Sequence, residues 1–77
     1  MESNKRIGKF LQLKRKEFGV NQSEVAKLLK ITQVQYSNYE IGKSEIGLRK
    51  LIKLSILLNF DLNEIGALFN VNEVNKI

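Results

Sequence analysis

Cysteine and histidine are both missing from these 77 residues, proline is missing with them, and glycine occurs only five times. Without Cys or His there is no disulfide, no thiolate nucleophile, no imidazole base and none of the usual zinc ligands. A phosphate-binding Gly loop and a convergent cluster of acids are also absent, so catalysis finds little support and neither a cofactor nor a metal is expected. No apolar run reaches the roughly 18 residues of a membrane-spanning helix. The opening MESNKRIGKF is too charged for a signal-peptide core, so a cytoplasmic location follows by default.

What is present points to helices. A chain this short forms one domain, close to the size at which a single core is barely adequate. Its apolar residues recur at helical rather than alternating spacing, with no strand signal, and the fold class is therefore all-α. The net charge of +5 is uneven. Residues 1–53 hold twelve Lys and Arg against five acids, a balance of +7, and residues 54–77 hold one Lys against three acids, a balance of −2. A basic face favours a polyanionic partner, although a solvated basic surface is nearly as common.

The chain is organised around residues 21–43, NQSEVAKLLKITQVQYSNYEIGK. Asn21 with Glu24, and Thr32 with Gln35, have the spacing of capping boxes, which satisfy orphan backbone donors at a helix start. The first box opens a helix over about Gln22 to Leu29, with Val25, Ala26 and Leu29 on one stripe. The second opens a helix over about Gln33 to Glu40, with Tyr36 and Tyr39 three apart and Gly42 as the stop. Two helices of about two turns, joined by Lys30-Ile31-Thr32, have the dimensions of a helix-turn-helix, and neither can bury itself alone.

The flanks supply that burial. A first helix is predicted from Ser3 or Asn4 to Phe18, stopped by Gly19, with Ile7, Phe10, Leu11 and Phe18 buried. A fourth runs over about Leu48 to Leu58, with Leu48, Leu51, Ile52, Ser55 and Leu58 inward and Leu54, Ile56 and Leu57 as surplus apolar surface on its sides. Asn59 stops it, and Asp61 with Glu64 opens a fifth helix carrying Leu62, Ile65, Leu68 and Phe69. Residues 71–77 form a polar tail that extends the fifth helix, packs on a partner, or frays.

The organising stretch resembles the helix-turn-helix of the lambda-repressor and Cro family, the Xre-type regulators. Gln22, Ala26, Leu29, Ile31, Thr32, Tyr36, Tyr39, Glu40 and Gly42 carry the resemblance, and five helices in this order match the family's domain over residues 1–70. Two positions depart from it: Lys14 stands where an apolar residue or Ala is common, and Lys30 where Gly is usual at the turn. The resemblance implies a pair between Arg15 and Glu40 that ties helix 1 to helix 3; two independent surface charges are the alternative. It also implies that Gln22 hydrogen-bonds a DNA phosphate, with Lys43 as the foremost cationic phosphate contact, and it leaves room for Gln22 to touch Gln33. Lys9, Lys27, Arg49 and Lys50 are explained equally well as solubilising charge.

On a helix starting at Thr32, the side chains of Gln33, Val34, Ser37 and Asn38 fall within roughly 140° of one another and face away from Tyr36 and Tyr39. Gln and Asn can bond adenine N6 and N7, Ser can donate or accept, and Val can pack on a thymine methyl. An ordinary polar helix face is the competing explanation; in the family these positions read bases.

One such helix reads few base pairs, so a homodimer on double-stranded DNA is expected, its half-sites about 34–36 Å apart or a multiple. The surplus of helix 4, Leu68, Phe69, Val71 and the tail are its expected interface, with core packing as the competitor for Leu68. The sequence therefore reads as a transcriptional regulator, most simply a repressor occluding polymerase. The rival is an antitoxin or accessory protein that holds a protein partner, with DNA autoregulation secondary. With no effector domain expected, regulation by concentration or by another protein is favoured over a small ligand.

Overall fold

All three capping boxes form, and each opens a helix. The Asn21 carboxamide accepts from the Glu24 N–H at 2.8 Å while the Glu24 carboxylate accepts from the Asn21 N–H at 3.0 Å. Thr32 and Gln35 exchange the same bonds at 3.1 and 3.0 Å, as Asp61 and Glu64 do at the fifth helix. The structure, a computed structural model, describes residues 2–69. Its helices are α1 Glu2–Phe18, α2 Gln22–Leu29, α3 Gln33–Glu40, α4 Leu48–Leu57 and α5 Leu62–Gly66, with no strand among the described residues.

The first four helices end in one way. Past each stands a residue with positive φ: Gly19 at 85°, Lys30 at 60°, Gly42 at 78° and Asn59 at 56°. The next N–H then reaches back five residues to an orphan carbonyl: Val20 to Arg15 at 3.3 Å, Ile31 to Ala26 at 3.0 Å, Lys43 to Asn38 at 2.9 Å and Phe60 to Ser55 at 2.9 Å. This is the Schellman closure, and Gly is its natural residue because a Cβ resists left-handed backbone. Lys30 therefore holds a conformation that costs it roughly 1–2 kcal/mol.

The core is one cluster in which Leu11, Val25, Tyr36 and Leu54 are wholly buried. Phe10 and Phe60 meet edge to face, centroids 5.0 Å apart, joining α1 to the start of the α5 turn. Lys14 lays its stem here, its ammonium 5.5 Å above the Phe10 ring. That ammonium lies 2.9 Å from the Glu64 carboxylate and 3.5 Å from that of Glu17.

Three expectations need correction. Phe18 is more exposed than buried, because α1 ends there and the chain turns away to start α2. In α4 and at its cap the buried residues are Leu51, Leu54 and Leu58, so the helix is turned by about 60° from the predicted stripe. Leu54 faces the core, while Leu48 and Ile52 face outward. The fifth helix lasts five residues, then tightens at Leu68 and Phe69 into three-residue turns, whose N–H groups donate to Ile65 and Gly66. Leu68 and Phe69 themselves are partly buried against the core, the alternative to a partner-facing role for Leu68. Val71 and the tail lie outside the described residues.

Candidate nucleic-acid interface

α3 is held by its ends and its inner face, which leaves one side free. At its start, the Thr32 box and the α2–α3 turn fix the approach. On its inner face, Tyr36 is wholly buried, and Tyr39 packs edge-on to it at 6.5 Å. At its end, α1 comes so close at Gly8 that an added Cβ would fall on the carbonyl oxygens of Tyr39 and Glu40. Gly42 is equally confined: a Cβ there would lie 2.8 Å from the Lys5 Cα. Both α1 and α2 thus pack directly on α3.

Beneath this contact lies a buried polar network drawn from three helices. The Arg15 guanidinium donates through Nε to Glu40 Oε2 at 2.6 Å and through Nη2 to Glu40 Oε1 at 3.2 Å, a two-pronged pair with both side chains almost entirely out of water. A further Arg15 N–H donates to the Val20 carbonyl at 3.0 Å. Glu40 Oε1 accepts again from Gln22 Nε2 at 2.8 Å. Burial opposes the Glu40 charge, yet the hydrogen bonds from Arg15 and Gln22 outweigh it and hold this carboxyl below its ordinary range. Glu40 in turn keeps Arg15 firmly protonated. The Tyr36 hydroxyl, buried beside them, makes no hydrogen bond of good geometry; burial, then the neighbouring carboxylate, pushes its phenol up.

The residues expected to meet DNA fall where α3 is open. Gln33 and Val34 are exposed, Val34 to 69%, and Ser37 and Asn38 are half-buried at the edge of the same face. Lys43 is exposed immediately past the helix, pinned by its N–H to the Asn38 carbonyl. Gln22 is half-buried at the first turn of α2, and its amide is engaged with Glu40; no hydrogen bond joins it to Gln33 among the described residues. Lys9, Lys27 and Arg49 are exposed, and Lys50 is half-buried.

Two features of the site were not anticipated. Gly8 left a readable mark, since glycine inside a helix costs about 0.5–1 kcal/mol against alanine and usually signals a close approach. The Gln22–Glu40 bond left none, because it joins residues eighteen apart that only the packing of α2 on α3 brings together. Among the described residues no group of three or more acids could hold a metal ion, and no helix is long and apolar enough to cross a membrane.

A sequence model of the helix-turn-helix family matches residues 11–65, which include α2, α3 and the Arg15–Glu40 pair. The ImmF control region 10 kDa protein of Bacillus phage phi105 is 35% identical over 63 residues, covering 82% of this chain and 70% of that protein. An SPbeta prophage-derived uncharacterized HTH-type transcriptional regulator, YonR of Bacillus subtilis (strain 168), is 38% identical over 72 residues, covering 88% of this chain and 67% of its own. No solved structure is significantly similar.

Proposed function

This chain belongs to the helix-turn-helix family of DNA-binding transcriptional regulators, and from that premise we propose that it is a repressor that binds a two-fold operator as a homodimer, with α3 in the major groove. The observation that carries this reading is the free side of α3: two amides, a hydroxyl and an open valine, without charge, on the helix that the rest of the domain immobilises. Gln33 and Asn38 offer the paired donor and acceptor that adenine takes, Ser37 a single adaptable bond, and Val34 a surface for a thymine methyl. Lys43 and Gln22 sit at the two ends of the motif as phosphate contacts, which set register rather than sequence. The names of the two relatives, a control region protein and an uncharacterized transcriptional regulator, fit a role in transcriptional control.

A second copy is assigned to the outer side of α4. Leu48, Ile52 and Ile56 recur every four residues there and are 68, 40 and 75% exposed, a stripe along one side of a helix. The operator reading requires that pairing through this stripe about a two-fold axis present two α3 helices to one face of a duplex, because a single short helix reads too few base pairs for useful affinity.

The test is binding to the protein's own upstream DNA and to a scrambled duplex across a range of salt, with Gln33→Ala beside the wild type. We expect a preference of at least about a thousandfold for the native duplex, and its loss in the variant. Weak, equal binding at low salt alone would reduce the interaction to charge. The accessory-protein reading, in which the α4 stripe holds another protein, would then take over.

A further inference from the structure

We propose that Glu40, which lies behind the DNA-facing surface, is a positioning residue for the phosphate contact made by Gln22. The inference rests on the operator reading above and adds a mechanism to it. A glutamine side chain can flip its amide by half a turn, exchanging a donor face for an acceptor face at little cost. A phosphate only accepts hydrogen bonds, so a flipped Gln22 would present its oxygen to phosphate oxygens and repel them. In this structure the flip is blocked, because Gln22 Nε2 donates to Glu40 Oε1 at 2.8 Å and turning the amide over would set its oxygen against the carboxylate. The nitrogen carries two hydrogens and Glu40 takes one. The other remains for a phosphate arriving at the first turn of α2, where the backbone N–H groups and the helix dipole also favour an anion.

Arg15 makes this arrangement compatible with DNA. A bare carboxylate one side chain behind a phosphate would repel it; the two-pronged bond from Arg15 at 2.6 and 3.2 Å cancels that charge while leaving Oε1 able to accept a second bond. The pair that ties α1 to α3 therefore also orients a group on α2. This third member of the network serves DNA binding rather than folding alone.

The experiment compares two double variants that leave no buried ion unpaired. Arg15→Leu with Glu40→Leu removes the acceptor, and Arg15→Leu with Glu40→Gln keeps an amide oxygen beside Gln22. Each is measured for binding to the upstream duplex, with and without Gln22→Ala, after circular dichroism has established that it is folded. The expected result is about tenfold weaker binding for the Leu pair and near wild-type binding for the Leu and Gln pair, with both differences vanishing in the Gln22→Ala background. Because Gln22 is neutral, the salt slope should stay unchanged in every case.

Equal weakening by both double variants, or a loss that persists without Gln22, would show a structural role only and overturn the proposal. Tight binding by Gln22→Ala while Gln33→Ala is impaired would overturn it too and leave the operator reading intact. Wild-type protein that treats native and scrambled DNA alike removes both. Should either double variant fail to fold, the side-chain amide signals of Gln22 by NMR decide: shifted and distinct in the wild type if the bond to Glu40 holds the amide, at solvent-exposed positions if it does not.

Discussion

Replacing Glu40 by Gln keeps the shape of the side chain and deletes its charge, which isolates the energetics of the buried pair. The Arg15 and Glu40 side chains are 10% and 1% exposed, so the variant leaves a guanidinium buried against a neutral amide. Breaking a buried pair on one side costs about 3–5 kcal/mol, whereas an exposed pair costs under about 1 kcal/mol. A domain of this size is stable by roughly 4–12 kcal/mol in total, so the loss is a large part of what there is. At about 4–8 °C per kcal/mol, the melting temperature should fall by roughly 12–40 °C. A thermal melt followed by circular dichroism reads this directly. A shift of only a few degrees would refute the reasoning and return Arg15 and Glu40 to the status of independent charges.

The same carboxylate predicts a pH dependence with a definite sign. Folding holds the Glu40 carboxyl below its ordinary range, so between that lowered value and the unfolded one the unfolded chain binds more protons. The contribution is therefore fully present above the ordinary carboxylate range and is lost as pH falls through the folded value. Wild-type stability should drop on acidification in that window, and Glu40→Gln should drop less steeply, in parallel chemical denaturation series. Equal slopes would mean that other acids govern the acid limb.

Three further substitutions test other parts of the structure. Lys30→Gly should stabilise the domain by about 1 kcal/mol in urea denaturation, since Lys30 sits at φ 60° where glycine is unstrained, and a clear loss would contradict a left-handed turn. Gly8→Ala should cost about 1–3 kcal/mol and weaken DNA binding as well, because its methyl falls on backbone atoms of α3 that have no room to yield; an unchanged melt would show that the α1–α3 contact is looser. Ile52→Asp should leave the melt of the fold largely intact and convert dimer to monomer in analytical ultracentrifugation, with operator affinity falling alongside. A variant still dimeric would move the interface off α4.

How far each of these features could be read beforehand follows from the range of the interaction that makes it. The caps are local: Asn21, Thr32 and Asp61 find their partners three residues on, and the stops at Gly19, Gly42 and Asn59 need only their own backbone. Spacing alone therefore located most helix ends. The orientation of α4 was not legible, because Leu48, Leu51, Ile52, Leu54, Ile56, Leu57 and Leu58 surround the helix and periodicity cannot choose among apolar faces. Only the partners decide: Leu51, Leu54 and Leu58 reach the common core, and Leu48, Ile52 and Ile56 are left outside. The Arg15–Glu40 pair came from the resemblance, since nothing in a spacing of twenty-five residues announces it.

The outward face of α3 was legible for the opposite reason. Tyr36 and Tyr39 commit one side of a short helix to the interior, and once that side is known the direction of Gln33, Val34, Ser37 and Asn38 follows from the pitch alone. What the pitch does not supply is rigidity, which here comes from distant contributions: the absent side chain of Gly8, the buried charge of Arg15 and the amide of Gln22. A base-reading helix needs both, because a bidentate contact tolerates only small errors of position. The four presented side chains select a sequence only to the extent that α3 is held still, so Gly8→Ala, and Glu40→Gln with Arg15 left buried and unpaired, neither of which touches a base, should erode discrimination between native and scrambled DNA along with affinity.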